Sequence, residues 1–120
     1  MTITENRKGD PIGAGKDVVL GTNHRDVVNL AGGNDKFYGD DGNDVACAGP
    51  GEDLLLGADD EDELYGGGGD DAINGSSGDD RSFGNGGGDL FNAGAGNDLC
   101  DGGRGNDRSN GSCETLQSVP

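Results

Sequence analysis

Aromatic and cationic residues are scarce in this chain. Its 120 residues include no Trp, only 4% aromatics, and eight Lys and Arg against 24 Asp and Glu, a formal charge of −16. With 29% hydrophobic residues, it holds too few apolar side chains for an ordinary globular core. An acidic chain repels phosphate backbones and anionic lipid surfaces, so no nucleic-acid partner is expected. The longest apolar runs, such as Val18-Val19-Leu20 and Leu54-Leu55-Leu56, are far too short to insert in a membrane. The segment Thr2-Ile3-Thr4-Glu5-Asn6-Arg7-Lys8 lacks the apolar stretch of a secretory signal. His24 is the single histidine and reads as a surface residue. No Ser–His–Asp spacing accompanies it, so no enzyme is expected.

What the chain does have is glycine and carboxylate. It holds 27 Gly, and fourteen carboxylates with no cation lie between Lys36 and Arg81. Such a composition belongs to disordered acidic segments, unless a plentiful positive partner organises it. The order of the residues shows that organisation. Aspartate recurs every nine residues without a gap, at Asp17, Asp26, Asp35, Asp44, Asp53, Asp62, Asp71, Asp80, Asp89, Asp98 and Asp107. Glycine stands two before it in nine of these eleven repeats, at Gly15, Gly33, Gly42, Gly51, Gly69, Gly78, Gly87, Gly96 and Gly105. Five before it, glycine stands in seven: Gly21, Gly39, Gly57, Gly66, Gly75, Gly84 and Gly102.

Each repeat reads as a glycine turn, permitting positive φ, followed by a three-residue strand. Pleating sends the middle residue of the three to the opposite face from its neighbours. That residue is mostly apolar and is expected to point inward. Two repeats make a coil of 18 residues, and stacked coils give an all-β, right-handed parallel β-roll, a solenoid. One inner column is then Val19, Phe37, Leu55, Ile73 and Phe91; the other is Val28, Ala46, Leu64, Ser82 and Cys100. Residues 1–11 are an N-terminal extension, 12–111 the single roll domain, and 112–120 a C-terminal tail.

Stacking also aligns the aspartates. Asp17, Asp35, Asp53, Asp71, Asp89 and Asp107 line one edge; Asp26, Asp44, Asp62, Asp80 and Asp98 line the other. Carboxylates at the strand spacing of about 5 Å repel unless neutralised. Calcium suits them, as a hard cation taking about 6–8 oxygens in irregular geometry. Carbonyls at Gly33, Gly42, Gly51, Gly69, Gly78, Gly87, Gly96 and Gly105 are the expected backbone ligands. Transition metals want clustered His and Cys, and this chain has one His and three scattered Cys. Five gaps on one edge and four on the other allow up to about nine ions between turns, with folding coupled to binding.

Gly39-Asp40-Asp41-Gly42-Asn43-Asp44, Gly66-Gly67-Gly68-Gly69-Asp70-Asp71 and Gly102-Gly103-Arg104-Gly105-Asn106-Asp107 resemble the RTX, or haemolysin-type, calcium-binding repeat G-G-x-G-x-D-x-U-x. The resemblance covers residues 12–111. It implies a calcium-filled β-roll of a secreted or cell-surface bacterial protein, where such repeats act as folding aids or structural spacers, with the aspartates as side-chain ligands. His24 and Asp60 depart from the pattern two before the aspartate, Lys16 and Arg25 directly before it, and Ser82 and Ser109 at the inner position. No long C-terminal segment like the family's secretion signal follows the repeats.

An alternative to the structural module is a self-assembling extracellular filament, in which copies of the chain stack end to end through exposed strand edges. Ice binding needs ranked Thr and Asx, and no such rank appears. Cys100 and Cys113 either bridge, clamping the end of the roll, or remain a buried residue and a free thiol; Cys47 is left over. Asn74-Gly75-Ser76 and Asn110-Gly111-Ser112 fit the N-glycosylation pattern, a weak signal in such sequence.

Overall fold

The computed structural model describes residues 2–3, 13, 15–109, 113 and 115–119. Strand follows strand with no helix among these residues. Three-residue strands recur at the period of the sequence: β2 (Val18–Leu20), β3 (Val27–Asn29), β4 (Lys36–Tyr38), β5 (Val45–Cys47), β6 (Leu54–Leu56), β7 (Glu63–Tyr65), β8 (Ala72–Asn74), β9 (Arg81–Phe83) and β10 (Leu90–Asn92). Before them comes β1 (Thr2–Ile3); after them come β11 (Leu99–Arg104), β12 (Arg108–Ser109) and β13 (Thr115–Val119). Odd-numbered strands form one seven-stranded sheet and even-numbered strands a six-stranded one. Every pairing is parallel, and from β2 to β12 partners lie eighteen residues apart, as in Phe37 with Leu55 and Ala46 with Leu64. The result is a parallel β-solenoid of about five turns.

The middle residue of each short strand points inward, as pleating requires. Val19, Phe37, Leu55, Ile73 and Phe91 are buried along one sheet, and Val28, Ala46, Leu64, Ser82 and Cys100 along the other. Both inner columns therefore match the sequence reading. Leu30, Ala48 and Ala93 also belong to the core. They occupy the position five before the aspartate, where most repeats carry glycine.

Two glycine positions prove to have different causes. The residue two before each aspartate has positive φ in every turn from Gly33 to Gly105, and Asp60 adopts it at +77°. Its Cβ direction also runs into the coil before: a methyl group on Gly69 would strike the carbonyl of Gly51. Five before the aspartate, φ is not positive. Glycine there makes room for a carboxylate, since a Cβ on Gly66 would meet Oδ2 of Asp71. The second left-handed residue lies four before the aspartate and is often not glycine, as at Ala31, Asp40, Ala58, Ser76 and Asn85.

Two pairings leave the eighteen-residue register. Strand β1 pairs with β3 through Thr2 and Val27. Strand β13 pairs with β11 through Leu99 and Thr115, with a shift between Asp101 and Gly103. A disulfide joins Cys100 to Cys113 with Cα atoms 5.7 Å apart, which settles the two readings of these cysteines; Cys47 is free and exposed.

Neighbouring glycines of one turn should respond differently to substitution. Gly69→Ala, at φ +98° and against a backbone carbonyl, should lower the denaturation midpoint, with a loss of stability well over roughly 1 kcal/mol. Gly68→Ala, with nothing near its Cβ direction, should leave it unchanged.

Candidate metal sites on the two edges

Each ladder aspartate sits where a turn enters a strand, and burial there is nearly complete: Asp26, Asp44, Asp62, Asp80 and Asp98 are at most 1% exposed. The two oxygens of each carboxylate have separate fates. Oδ1 accepts the backbone N–H of the aspartate one coil earlier. Asp17 donates to Asp35, Asp26 to Asp44, Asp35 to Asp53, and the series continues to Asp89 donating to Asp107, all at 2.7–2.9 Å. These buried bonds are charge-assisted when the carboxylate is ionised. The stacked aspartates do more than repel one another, because each fastens its coil to the one before.

Oδ2 is the other half of the site. In Asp35, Asp44, Asp53, Asp62, Asp71, Asp80 and Asp89 it is buried and accepts no hydrogen bond. An unsatisfied carboxylate oxygen away from water is costly. Seven of them in two columns call for a positive partner or a proton. Asp17 and Asp26 differ: Oδ2 accepts the N–H of Gly13 at 3.1 Å in the first and of Thr22 at 2.6 Å in the second.

Burial pushes these carboxyls upward from an ordinary 3.8. Asp62 and Asp71 reach about 8, Asp80 about 7, and Asp35, Asp44 and Asp89 about 6; Asp53 moves in the same direction. Desolvation is the main cause. The ladder N–H bond pulls each value back, and neighbouring ladder carboxylates add to the rise in most of them.

The turns supply further oxygen. The glycine carbonyl two before each aspartate faces the equivalent residue of the next coil, as Gly33 faces Gly51, Gly69 faces Gly87, and Gly87 faces Gly105. Among the described residues no three of His, Cys, Asp and Glu converge. A cation at these edges must therefore draw most of its ligands from carbonyls, which suits a hard ion of high coordination number. Lone carboxylate oxygens beside a glycine cradle fit calcium, and the donor set excludes a thiolate or imidazole metal.

Sequence reasoning missed a second ladder. One residue before the aspartate, Asn34, Asn43, Asp70 and Asp79 accept through Oδ1 the N–H of Glu52, Glu61, Gly88 and Asn97 at 2.7–3.0 Å. Its bonds run opposite to those of the main ladder, so adjacent turns are tied in both directions. Asp60, two before Asp62, adds a bond in the direction of the main ladder, accepting the N–H of Gly42 at 2.9 Å. The recurrence of Asn and Asp at these positions was the available signal.

The RTX calcium-binding nonapeptide repeat model matches residues 12–46, 48–81 and 74–108. The chain belongs to that family. No curated protein and no solved structure matches it. As an RTX protein it is built of repeats that bind calcium, and its solenoid agrees with that membership. The departure at Asp60 leaves the turn intact, since aspartate tolerates left-handed φ better than most residues. The departure at His24 does not reproduce the family turn, because neither Thr22 nor His24 has positive φ.

The raised carboxyl values give the metal-free roll a definite pH dependence. A folded pKa above the unfolded value means the folded state holds more protons. Stability without calcium should be fully present below about pH 4 and fall as pH rises through 6 to 8. Calcium takes the place of the proton on the same oxygens, so the calcium needed for half-folding should rise over that window as the protons leave. Calcium titrations followed by circular dichroism at several pH values check both signs.

Proposed function

We propose that this chain is a calcium-dependent structural and folding module of an extracellular bacterial protein. The carrying observation is the set of seven buried Oδ2 atoms that accept no hydrogen bond. In this reading Asp17, Asp26, Asp35, Asp44, Asp53, Asp62, Asp71, Asp80, Asp89, Asp98 and Asp107 offer side-chain ligands. Carbonyls at Gly33, Gly42, Gly51, Gly69, Gly78, Gly87, Gly96 and Gly105 complete the sites. Without a cation, like charges and lone oxygens oppose the stack, and binding energy becomes folding energy. Extracellular fluid, rich in calcium, favours the folded roll, and the disulfide suits an oxidising compartment.

A second reading rests on the sheet edges. Strands β2 and β12 each have one neighbour in the six-stranded sheet, and an open parallel edge is a template for another copy. Stacked copies would make a filament.

Chelated protein should give a disordered spectrum that becomes β on addition of calcium. Magnesium, which demands tighter octahedral geometry and keeps its water, should not replace it. A spectrum indifferent to calcium defeats the proposal. Sedimentation of the calcium-loaded protein decides the second reading: growth with concentration favours a filament, and a single monomeric species ends it.

A further inference from the structure

We infer that the first two turns of the roll take no calcium, and that Thr22, Lys16 and Arg25 do there what the ion does elsewhere. The inference rests on the calcium reading above and changes which aspartates belong to it. Three independent features separate the turns before Asp17 and Asp26 from those that follow.

Backbone shape is the first. From Ala31 to Gly105, every turn has positive φ both four and two residues before its aspartate. Thr22 and His24, in the turn before Asp26, have neither, and the glycines Gly13 and Gly15 before Asp17 also lack it. The left-handed pair shapes the repeated turn, so the carbonyls of these two turns belong to a different loop.

Satisfaction of the carboxylate is the second. Asp26 Oδ2 accepts the N–H of Thr22 at 2.6 Å, and its Oδ1 accepts the Thr22 hydroxyl at 2.9 Å. Elsewhere Oδ1 takes an aspartate N–H from the preceding coil; here a hydroxyl of the same turn fills that place. The N–H of His24 in turn donates to the Thr22 hydroxyl at 3.2 Å, closing the loop on itself. Asp17 is closed in like manner by Gly13. No orphaned oxygen of the kind found from Asp35 to Asp89 occurs in either.

Charge is the third. Arg25 heads a column continued by Asn43, Glu61 and Asp79, and lines the same open trough of about 330 Å³ as Asp44 and Asp62. Lys16 lines the corresponding trough on the other edge with Asp17 and Asp35. An ammonium or guanidinium beside the ladder supplies positive charge and repels a divalent ion entering next to it. The positions just before later aspartates are neutral or acidic, from Asn34 through Asn106.

Counting only turns with the left-handed pair, five on one edge leave four gaps and four on the other leave three. The roll would then hold about seven ions, against about nine for an unbroken ladder. Native mass spectrometry of the calcium-loaded full chain reads this number, with circular dichroism confirming that each variant is folded. Asp26→Asn keeps an acceptor for Thr22 and should leave the ion count unchanged. Asp62→Asn should lose at least one ion. Thr22→Val should lower the melting temperature of the loaded protein without loss of an ion. Loss of an ion in Asp26→Asn, or a full ladder count in the wild type, overturns the inference while leaving calcium binding intact. A wild-type protein that takes up no calcium sinks the parent reading and this one with it.

Discussion

A carboxylate buried between coils, with one oxygen bonded and the other not, is the constraint on which this molecule turns. The bond from Oδ1 to the preceding coil sets the eighteen-residue register along both edges. It also forces the carboxylate into the interior, since the backbone N–H it reaches lies inside the turn. Burial then leaves Oδ2 without water or donor. The same side chain thus fastens the coil and makes the fastened state unfavourable while it remains charged. Only a proton or a cation removes the conflict. A proton does so until pH rises through the folded values, which reach about 8 at Asp62 and Asp71; a calcium ion would do so beyond that and could bridge successive turns as well.

The hydrophobic contribution is too thin to decide the matter alone. Each coil brings two inward side chains from its strands, and one column passes from Leu64 to Ser82 and Cys100. A solenoid gains its stability from contacts between neighbouring units, so the edges must carry what the core does not. The reciprocal ladder of Asn34, Asn43, Asp70 and Asp79 shows the same economy: short polar side chains tie one turn to the next where no apolar contact is available.

Much of this fold was legible because the period is strict. A nine-residue spacing with alternating burial locates the middle of each strand, and Phe37, Leu55 and Leu64 lie inward as pleating demands. Other features left no such mark. Left-handed φ at Ala31, Ala58 and Ser76 cannot be read from residues that do not advertise it. Gly66 and Gly75 resembled turn residues, yet their role is to clear space for Asp71 and Asp80. That contact, like the Oδ1 bond, depends on where a side chain points across eighteen residues. Leu30, Ala48 and Ala93 were overlooked as core because their repeats were judged by the strand alone.

The two ends of a solenoid face a different problem from its middle, since each lacks a neighbour on one side and normally needs a cap. Calcium is poorly suited to that task, because an ion between turns needs a turn above and a turn below. Near the first coil, Thr22 closes the turn on Asp26 and basic side chains stand beside the ladder. At the other end the period stops supplying aspartate, as residue 116 is Leu where the next would fall. There β13 abandons the eighteen-residue register, and a disulfide ties Cys113 to Cys100 at the foot of the inner column. Covalent and protein-borne fasteners therefore stand where a bridging ion would have only one partner. The acidic stretch between Lys36 and Arg81 has no cation of its own, and in the proposed reading the metal would supply it. On the proposed calcium reading, such a roll would depend most on the ion at its centre, where the lone oxygens are most strongly desolvated and the pKa values of Asp62 and Asp71 rise furthest.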